Sequence, residues 1–180
     1  MMYHTNQNNV LLFLLIMIFK DKTIGILGGG QLGKMTAMSA KKLGFNTILY
    51  CPKGDNPAEH SVNEYIDGDW DDVKKLEIFG SNVDVITSEF ENIPAKTLDN
   101  LSKITKVYPS SFCFSIAQHR NKEKEMAAKA GFLVPKWYRI NSLDDLIKYA
   151  KIFNHNCILK TNSLGYDGKG QVNISSEINF

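Results

Sequence analysis

The sequence predicts an α/β fold in which helices cover both faces of a parallel sheet. Short apolar segments alternate with amphipathic ones from Thr23 to about Ser110, and this alternation is typical of parallel strands joined by helices. The first apolar segment runs directly into the pattern G-x-G-x-x-G, formed by Gly28, Gly30 and Gly33. Such a pattern indicates a strand, a tight turn and the start of a helix.

The first part of the chain contains three predicted strands with helices between them. Short apolar runs predict strands at residues 23–27, 47–51 and 83–87. A helix over residues 31–43 is expected to end at Gly44. Asp69 is expected to cap a second helix, which carries apolar residues at helical spacing. Pro94 suits the first turn of a third helix.

The pattern changes at Tyr108-Pro109-Ser110, which marks an expected domain boundary. Two helical pieces are predicted between residues 111 and 131, followed by a strand over residues 136–140. An amphipathic helix is then expected, with Ser142 and Asp145 forming a capping box at its start. Two further predicted strands, at residues 157–161 and 172–174, enclose a glycine-rich loop.

The composition argues against several classes of protein. The 180 residues are 43% hydrophobic and 22% charged, with a net charge of +2. This balance does not favour nucleic acid or an anionic membrane as a partner. The three cysteines and four histidines are scattered along the chain. Their spacing argues against a metal site and favours reduced thiols in a cytoplasmic protein.

The first twenty residues differ from the rest of the chain. Their apolar run, residues 10–19, is shorter than the roughly 20 residues that span a bilayer. No basic n-region and no small-residue cleavage site indicates a signal peptide. We therefore expect the protein to begin at Met17, with a membrane anchor as the alternative.

The glycine motif alone leaves its ligand open. Backbone N–H groups at a helix N-terminus suit an anion, so a dinucleotide, another phosphate ligand and a plain turn all fit. A dinucleotide site would add an acidic residue at the end of the second strand. That strand ends in Tyr50-Cys51-Pro52-Lys53 instead, which weakens the dinucleotide interpretation.

Two other segments carry residues suited to ligand binding. Glu89 and Glu91 follow the third predicted strand, at the edge where ligands bind in open α/β sheets. The alternative is two solvated loop carboxylates. Lys160 and Lys169 accompany a loop whose glycines allow close approach to phosphate oxygens. This loop does not have the order of a Walker A loop, and a mobile hairpin is the alternative.

Four motifs in this order resemble the 5-(carboxyamino)imidazole ribonucleotide synthase family, ATP-grasp enzymes of purine biosynthesis. They are GILGGGQLGKM, DVITSEFENIP, AQHRNKEKEMAAKAGFLVP and ILKTNSLGYDGKGQ, and the resemblance extends from about Lys22 to Val172. It implies a Rossmann-like pre-ATP-grasp substrate domain over residues 21–110. The incomplete first part of an ATP-grasp domain would follow over residues 111–180, and residues 1–20 would be an extension outside the fold.

The resemblance implies a carboxylation reaction. ATP, bicarbonate and 5-aminoimidazole ribonucleotide would give the carboxyamino product, ADP and phosphate, through carboxyphosphate. ATP and Mg²⁺ are the implied cofactors, but in this family the metal ligands follow the glycine-rich loop, beyond Phe180. We therefore expect this chain to be inactive alone, and a complementing C-terminal fragment and a homodimer are the protein partners considered. The rival hypotheses are a non-catalytic remnant or interaction module, and an NAD-dependent oxidoreductase.

The resemblance also implies roles for individual residues. The ribonucleotide would be bound by Gly30, Gln31, Leu32 and Glu89. The ATP phosphates would be held by two basic residues and the loop that closes over them: Arg120, Lys160, Gly165, Tyr166, Asp167, Gly168, Lys169, Gly170 and Gln171. The catalytic residues would be Tyr166, Asp167 and Lys169, which would lie between ATP and the ribonucleotide. No residue of the chain is expected to bind metal.

Overall fold

The computed structural model of the chain describes residues 21–165 and 168–175. The expected start at Met17, Tyr166 and Asp167 lie outside the described residues. The chain divides into two compact units, of which the first reaches Phe114 and the second begins at Ser115. The domain limits of 21–110 and 111–180 stay predictions. No helix within the described ranges is long and apolar enough to cross a membrane.

The first unit is built on a parallel sheet of five strands. The strands are β1 (Thr23–Leu27), β2 (Asn46–Cys51), β3 (Glu64–Asp67), β4 (Val85–Ser88) and β5 (Lys106–Val107). Their order in the sheet is β3-β2-β1-β4-β5, and each neighbouring pair is parallel. This is the strand order of a doubly wound Rossmann-like sheet, so the expected fold class is confirmed.

Four helices accompany this sheet, namely α1 (Gln31–Lys42), α2 (Val73–Ser81), α3 (Ala95–Ser102) and α4 (Ser111–Ala117). Helix α1 ends as expected, because Gly44 follows it with a φ of 86° that favours glycine. The expected cap of α2 was wrong. Asp72, not Asp69, accepts the hydrogen bond from the backbone N–H of Lys75.

The core of the first unit lies on both faces of the sheet. Successive strand residues point to opposite faces, and neighbours in β1 and β2 accordingly fall in different clusters. Leu27 and Tyr50 join the larger cluster with Phe79, whereas Ile26 and Leu49 join the smaller one. Burial on both faces explains why β1 and β2 are continuous apolar runs rather than alternating ones.

An ion pair lies at the end of the sheet opposite the glycine loop. The Asp84 carboxylate accepts hydrogen bonds from Lys22 Nζ at 2.6 Å and from the backbone N–H of Thr23 at 2.8 Å. The hydrogen bond from Lys22 is the main cause that lowers the pKa of Asp84, and the bond from Thr23 adds to it. Asp84 thus ties the beginning of β1 to the segment that leads into β4.

Replacing Asp84 by asparagine is expected to lower stability slightly at pH 7 and by less at pH 3. A lowered carboxyl pKa contributes stability above the ordinary value of 3.8, and this contribution disappears as the pH falls through the folded-state pKa. Urea midpoints of the two proteins at both pH values measure the difference. Asp99→Asn removes a different surface carboxylate as a control. A midpoint difference between parent and Asp84→Asn that is as large at pH 3 as at pH 7 would contradict the assignment.

The described residues of the second unit form two helices and a hairpin. They are α5 (Arg120–Lys129), α6 (Leu143–Ile152), β6 (Cys157–Lys160) and β7 (Gln171–Ile174), and the two strands pair antiparallel. The predicted strand over residues 136–140 was wrong, since these residues form no regular element. Ser142 caps α6 by accepting from the Asp145 N–H, while Asp145 accepts from Asn141 rather than from Ser142.

Candidate functional site

The glycine loop leaves the carboxyl end of β1 at the point where the strand order reverses. Strands β2 and β4 lie on either side of β1, and ligands of such sheets bind in the crevice at this point. Gly28 has a φ of 101°, a conformation that side chains rarely adopt, and its N–H donates to the Tyr50 carbonyl. The turn is therefore fixed to the end of β2 before α1 begins.

Glu89 lies across this crevice, directly after β4. Its two carboxylate oxygens accept hydrogen bonds from the backbone N–H of Gly30 at 2.5 Å and of Gly33 at 2.7 Å. The Glu89 N–H donates to the Leu27 carbonyl at 3.0 Å, which holds the residue beside β1. The structure thus brings together two of the predicted substrate residues, Gly30 and Glu89. Strand β4 ends at Ser88, so Glu89 and Glu91 both lie beyond the strand.

The loop after β2 supports the glycine turn from the other side. The Ala58 N–H donates to the Gly29 carbonyl, and the Asn56 side chain lies so close to Gly29 that no Cβ could fit there. Asn56 is held in place by its own side-chain N–H groups, which donate to the Pro52 carbonyl at 2.9 Å and to the Tyr65 hydroxyl at 3.2 Å. Nothing in the local sequence pattern around Asn56 indicates this contact.

Burial perturbs two side chains at the end of β2. It is the main cause that raises the pKa of the Cys51 thiol to about 11, and the nearby Glu89 carboxylate contributes to this rise. Burial also raises the pKa of Tyr50, whose hydroxyl donates to the Asp69 carbonyl at 2.7 Å. Both groups therefore stay protonated at neutral pH, and Cys51 is a poor nucleophile.

We expect iodoacetamide to modify Cys113 and to leave Cys51 unmodified at neutral pH. Cys113 is exposed, whereas Cys51 is buried and its thiolate is disfavoured. Peptide mass spectrometry after a short reaction measures the labelled fraction of each thiol, and the urea-unfolded chain gives the reference in which all three cysteines react. Equal labelling of Cys51 and Cys113 in the folded protein would show that the β2 end opens readily.

In the second unit, Arg120 holds the segment that enters the glycine-rich loop. Its Nε donates to the Thr161 carbonyl at 3.2 Å, and its Nη2 donates to the Gly165 carbonyl at 3.0 Å. The Thr161 N–H in turn donates to the Gly170 carbonyl at 2.8 Å, which closes the base of the loop. Gly170 has a φ of 68°, and a Cβ there would lie 2.6 Å from Thr161 Oγ1. Hydrogen bonds thus connect the predicted residues Arg120, Gly165 and Gly170, in part through Thr161.

The beginning of α5 is capped by a residue distant in sequence. The N–H of Arg120 donates to the Asn162 carbonyl at 2.9 Å, and the N–H of Asn121 donates to Asn162 Oδ1 at 3.2 Å. His119, which precedes the helix, instead contacts Ser163 Oγ through Nδ1 at 2.8 Å. The loop entrance is therefore attached to the helix by backbone and side chain together.

A cavity of about 550 Å³ lies beside these residues in the second unit. Its lining includes both predicted phosphate-binding cations and three further basic residues: Arg120, Lys124, Lys136, Arg139 and Lys160. No aspartate or glutamate occurs among the described residues that line it. An excess of cations without carboxylates suits a polyanion such as a polyphosphate. Lys124, Lys136 and Arg139 were not predicted, because Lys124 lies on α5 and the other two lie in a separate segment without regular structure.

An aromatic group forms one wall of this cavity. The rings of Tyr138 and Tyr149 stack with centroids 4.1 Å apart, and Phe153 meets Tyr138 edge-on. Lys136 Nζ lies 5.7 Å from the centre of the Tyr138 ring, a cation–π distance. These contacts hold residues 136–138 against α6, although the segment forms no strand.

The remaining predicted site residues occupy exposed positions. Gln31 and Leu32 lie in the first turn of α1 and face solvent. Lys160 ends β6 and Gln171 begins β7, with Gly168, Lys169 and Gly170 in the turn between the strands. The roles of these residues, and those of Tyr166 and Asp167, stay predictions.

Clusters of three or more potential metal-ligating side chains are not found in the described part of the chain. Within residues 21–165 and 168–175, no three histidine, cysteine, aspartate or glutamate side chains group as a metal site would require.

Two protein-family models match successive parts of this chain. The model of the ribonucleotide synthetase preATP-grasp domain matches residues 21–118, and that of the ATP-grasp domain matches residues 125–180. N5-carboxyaminoimidazole ribonucleotide synthase of Brucella melitensis is 40% identical over 154 residues, which are 86% of this chain and 42% of the relative. The enzyme of the same name from Staphylococcus aureus is 40% identical over 86% of this chain and 41% of its own length.

A solved structure shows the same relationship. N5-carboxyaminoimidazole synthetase from Staphylococcus aureus, crystallised with ADP, superposes with a TM-score of 0.81 at 40% identity over 88% of this chain and 43% of the other. The chain thus spans about two fifths of the length of the relatives it matches. The resemblance noted in the sequence is confirmed. The chain belongs to the family of proteins that carry the ribonucleotide synthetase preATP-grasp domain, followed here by the first part of an ATP-grasp domain.

Proposed function

We propose that the chain provides the ribonucleotide-binding and phosphate-binding part of a ligase that carboxylates 5-aminoimidazole ribonucleotide. Bicarbonate would attack the γ-phosphorus of ATP, giving carboxyphosphate and ADP. The 5-amino group would then attack the carboxyl carbon, forming the C–N bond of the carboxyamino product and releasing phosphate. The observation that carries this proposal is the 40% identity, over both units, to a synthetase that was crystallised with ADP.

The phosphate-binding role is supported by the cationic cavity. Arg120 and Lys160 lie in its lining together with three other basic side chains, and no described carboxylate opposes them. Fixed positive charge of this kind stabilises both bound phosphates and the charge that develops during phosphoryl transfer. We propose that the loop from Gly165 to Gln171 closes over the ATP phosphates. Its residues Tyr166, Asp167 and Lys169 would then lie between ATP and the ribonucleotide.

The ribonucleotide-binding role is assigned to the crevice beside β1. It rests on the crevice position of Gly30 and Glu89 and on the exposure of Gln31 and Leu32 in the first turn of α1. A carboxylate that already accepts two N–H groups still has lone pairs for sugar hydroxyl donors. Glu89 would therefore bind the ribose.

The activity is assigned to the assembled enzyme and not to these residues alone. The chain spans about two fifths of the length of its relatives, and its described residues contain no cluster of three potential metal-ligating side chains. A complementing C-terminal part would bring the Mg²⁺ ligands that phosphoryl transfer uses. We place the enzyme in the cytoplasm, in keeping with three free cysteines, and propose a homodimer, which sedimentation of the complemented enzyme measures.

A chimaera tests the function directly. Residues 21–175 are fused to the part of the Staphylococcus aureus synthase that follows the matched region, and ADP release is measured with ATP, bicarbonate and 5-aminoimidazole ribonucleotide. We expect ADP release that depends on both bicarbonate and the ribonucleotide, and none from the 180-residue chain alone. The Staphylococcus aureus enzyme is the positive control.

Two outcomes would overturn this assignment. A folded chimaera that neither binds ATP in calorimetry nor releases ADP would favour a non-catalytic remnant. Tight binding of NADH to the chain in a fluorescence titration, without binding of the ribonucleotide, would favour an oxidoreductase instead.

A further inference from the structure

We propose that Glu89 is an internal anion of the glycine loop: its carboxylate fills the place that phosphate takes in a dinucleotide-binding loop and makes the loop select against phosphate. The proposal goes beyond the proposed function, because it does not depend on which reaction the assembled enzyme performs. It assigns Glu89 a positioning and specificity role that the free chain can reveal.

The hydrogen bonds of Glu89 are those that a bound anion would make. In dinucleotide-binding folds, the loop after the first strand and the N-terminus of the next helix direct backbone N–H groups at a phosphate. Here the N–H groups of Gly30 and Gly33 are already bonded to Glu89 Oε1 and Oε2, at 2.5 and 2.7 Å. Charge-assisted bonds of this length are among the stronger ones in proteins.

Two of the three glycines of the motif, Gly28 and Gly30, are explained by this contact without any ligand. A Cβ at Gly28 would lie 2.5 Å from Glu89 Cγ, and a Cβ at Gly30 would lie 2.7 Å from Glu89 Oε1. At Gly33, a Cβ would lie 2.6 Å from the Gly28 carbonyl oxygen and 3.1 Å from Glu89 Oε2. Gly28 and Gly30 thus leave room for the Glu89 side chain in the turn, and Gly33 leaves room mainly for the Gly28 carbonyl.

Filling the turn with a carboxylate changes which ligands it accepts. A phosphate brought to the same N–H groups would meet a fixed negative charge and would lose its hydrogen-bond donors. Uncharged hydroxyl groups face no such repulsion and can donate to the remaining lone pairs of Glu89. The loop therefore selects neutral hydroxyl donors over anions, and any phosphate of a bound ligand lies away from the amides of Gly30 and Gly33.

Amide NMR of the ¹⁵N-labelled full chain tests the proposal, with inorganic phosphate as the probe. In the parent, we expect the Gly30 and Gly33 amide protons to resonate downfield, to exchange slowly, and to stay unshifted when phosphate is added. In Glu89→Ala both signals should move upfield and exchange faster, and phosphate should now shift them. Glu89→Gln keeps the size of the side chain but not its charge, so it should also gain the response to phosphate.

The neighbouring carboxylate provides the matched control. Glu91→Gln removes one negative charge two residues away, and the Gly30 and Gly33 signals should behave as in the parent. The proposal fails if phosphate shifts both amides in the parent as strongly as in Glu89→Ala, or if neither variant changes these amides. Failure of the chimaera to carboxylate would leave these signals unaffected, so the two tests are distinguishable.

Discussion

Replacing Phe79 by alanine is expected to lower the free energy of unfolding of the first unit by about 3–5 kcal/mol, the range for a fully buried phenylalanine. The Phe79 side chain is 0% exposed, and its ring lies 5.3 Å from that of Tyr50. It also reaches β1, where a Cβ at Gly25 would lie 2.7 Å from Phe79 Cζ. Truncation would therefore leave a cavity between α2 and the sheet that rigid strands cannot fill.

Urea unfolding followed by tryptophan fluorescence measures this effect. Trp70 packs against Tyr50 in the first unit, so the measurement is made with Trp137 replaced by phenylalanine to remove the signal of the second unit. Ile78→Ala is the control, because Ile78 lies on the same helix but is 56% exposed. A loss below about 1 kcal/mol for Phe79→Ala, or an equal loss for Ile78→Ala, would contradict the described packing.

Replacing Arg120 by alanine is expected to weaken ATP binding by about 1.5–3 kcal/mol, or roughly 10–150-fold in Kd, the range for hydrogen bonds to charged groups. Two losses combine in this variant. One cation leaves the lining of the cavity, and the carbonyls of Thr161 and Gly165 lose their common donor. We expect the loop entrance to exchange its amide hydrogens faster as a result.

Two further variants separate charge from loop position. Lys160→Ala removes a cation from the same cavity and is expected to weaken ATP binding by a similar amount, about 1.5–3 kcal/mol, without faster exchange at residues 161–165. Arg120→Lys keeps the charge but cannot reproduce the forked donor geometry, so exchange should increase more than binding weakens. Calorimetric ATP titration of the chimaera, with hydrogen exchange of the same proteins, measures both effects. Unchanged ATP affinity in Lys160→Ala and Arg120→Ala would remove the phosphate assignment from this cavity.

The fold was largely predictable because its signals are local. The apolar run of β1, the glycine turn and the positive φ at Gly44 all depend on neighbouring residues. Strands β3 and β5 were not predicted, because their local signals are weak. Strand β3 has no fully buried residue, and β5 has only two residues, so neither carries a recognisable apolar run. The segment over residues 136–140 has apolar and aromatic side chains that pack on α6, and this packing does not require a strand.

The contacts of the candidate site were less predictable because they join distant residues. Glu89 was singled out by its place after a strand, but its partners Gly30 and Gly33 lie 59 and 56 residues away. Arg120 was identified by resemblance, and its bonds to Thr161 and Gly165 cross 41 and 45 residues. A sequence pattern shows which chemistry a segment carries. It does not show which distant segment meets it.

The distance between Glu89 and the glycine loop also has a consequence for the order of events during synthesis. The glycine loop is synthesised before Glu89. The N–H groups of Gly30 and Gly33 therefore gain their hydrogen-bond acceptor, the Glu89 carboxylate, only after 56 to 59 further residues have been added. At typical elongation rates of about 5–20 residues per second, that delay is roughly 3–12 s. The nascent chain therefore carries an unfinished turn during this time. Since closing so long a segment costs entropy before its contacts form, the crevice beside β1 is expected to mature late in folding.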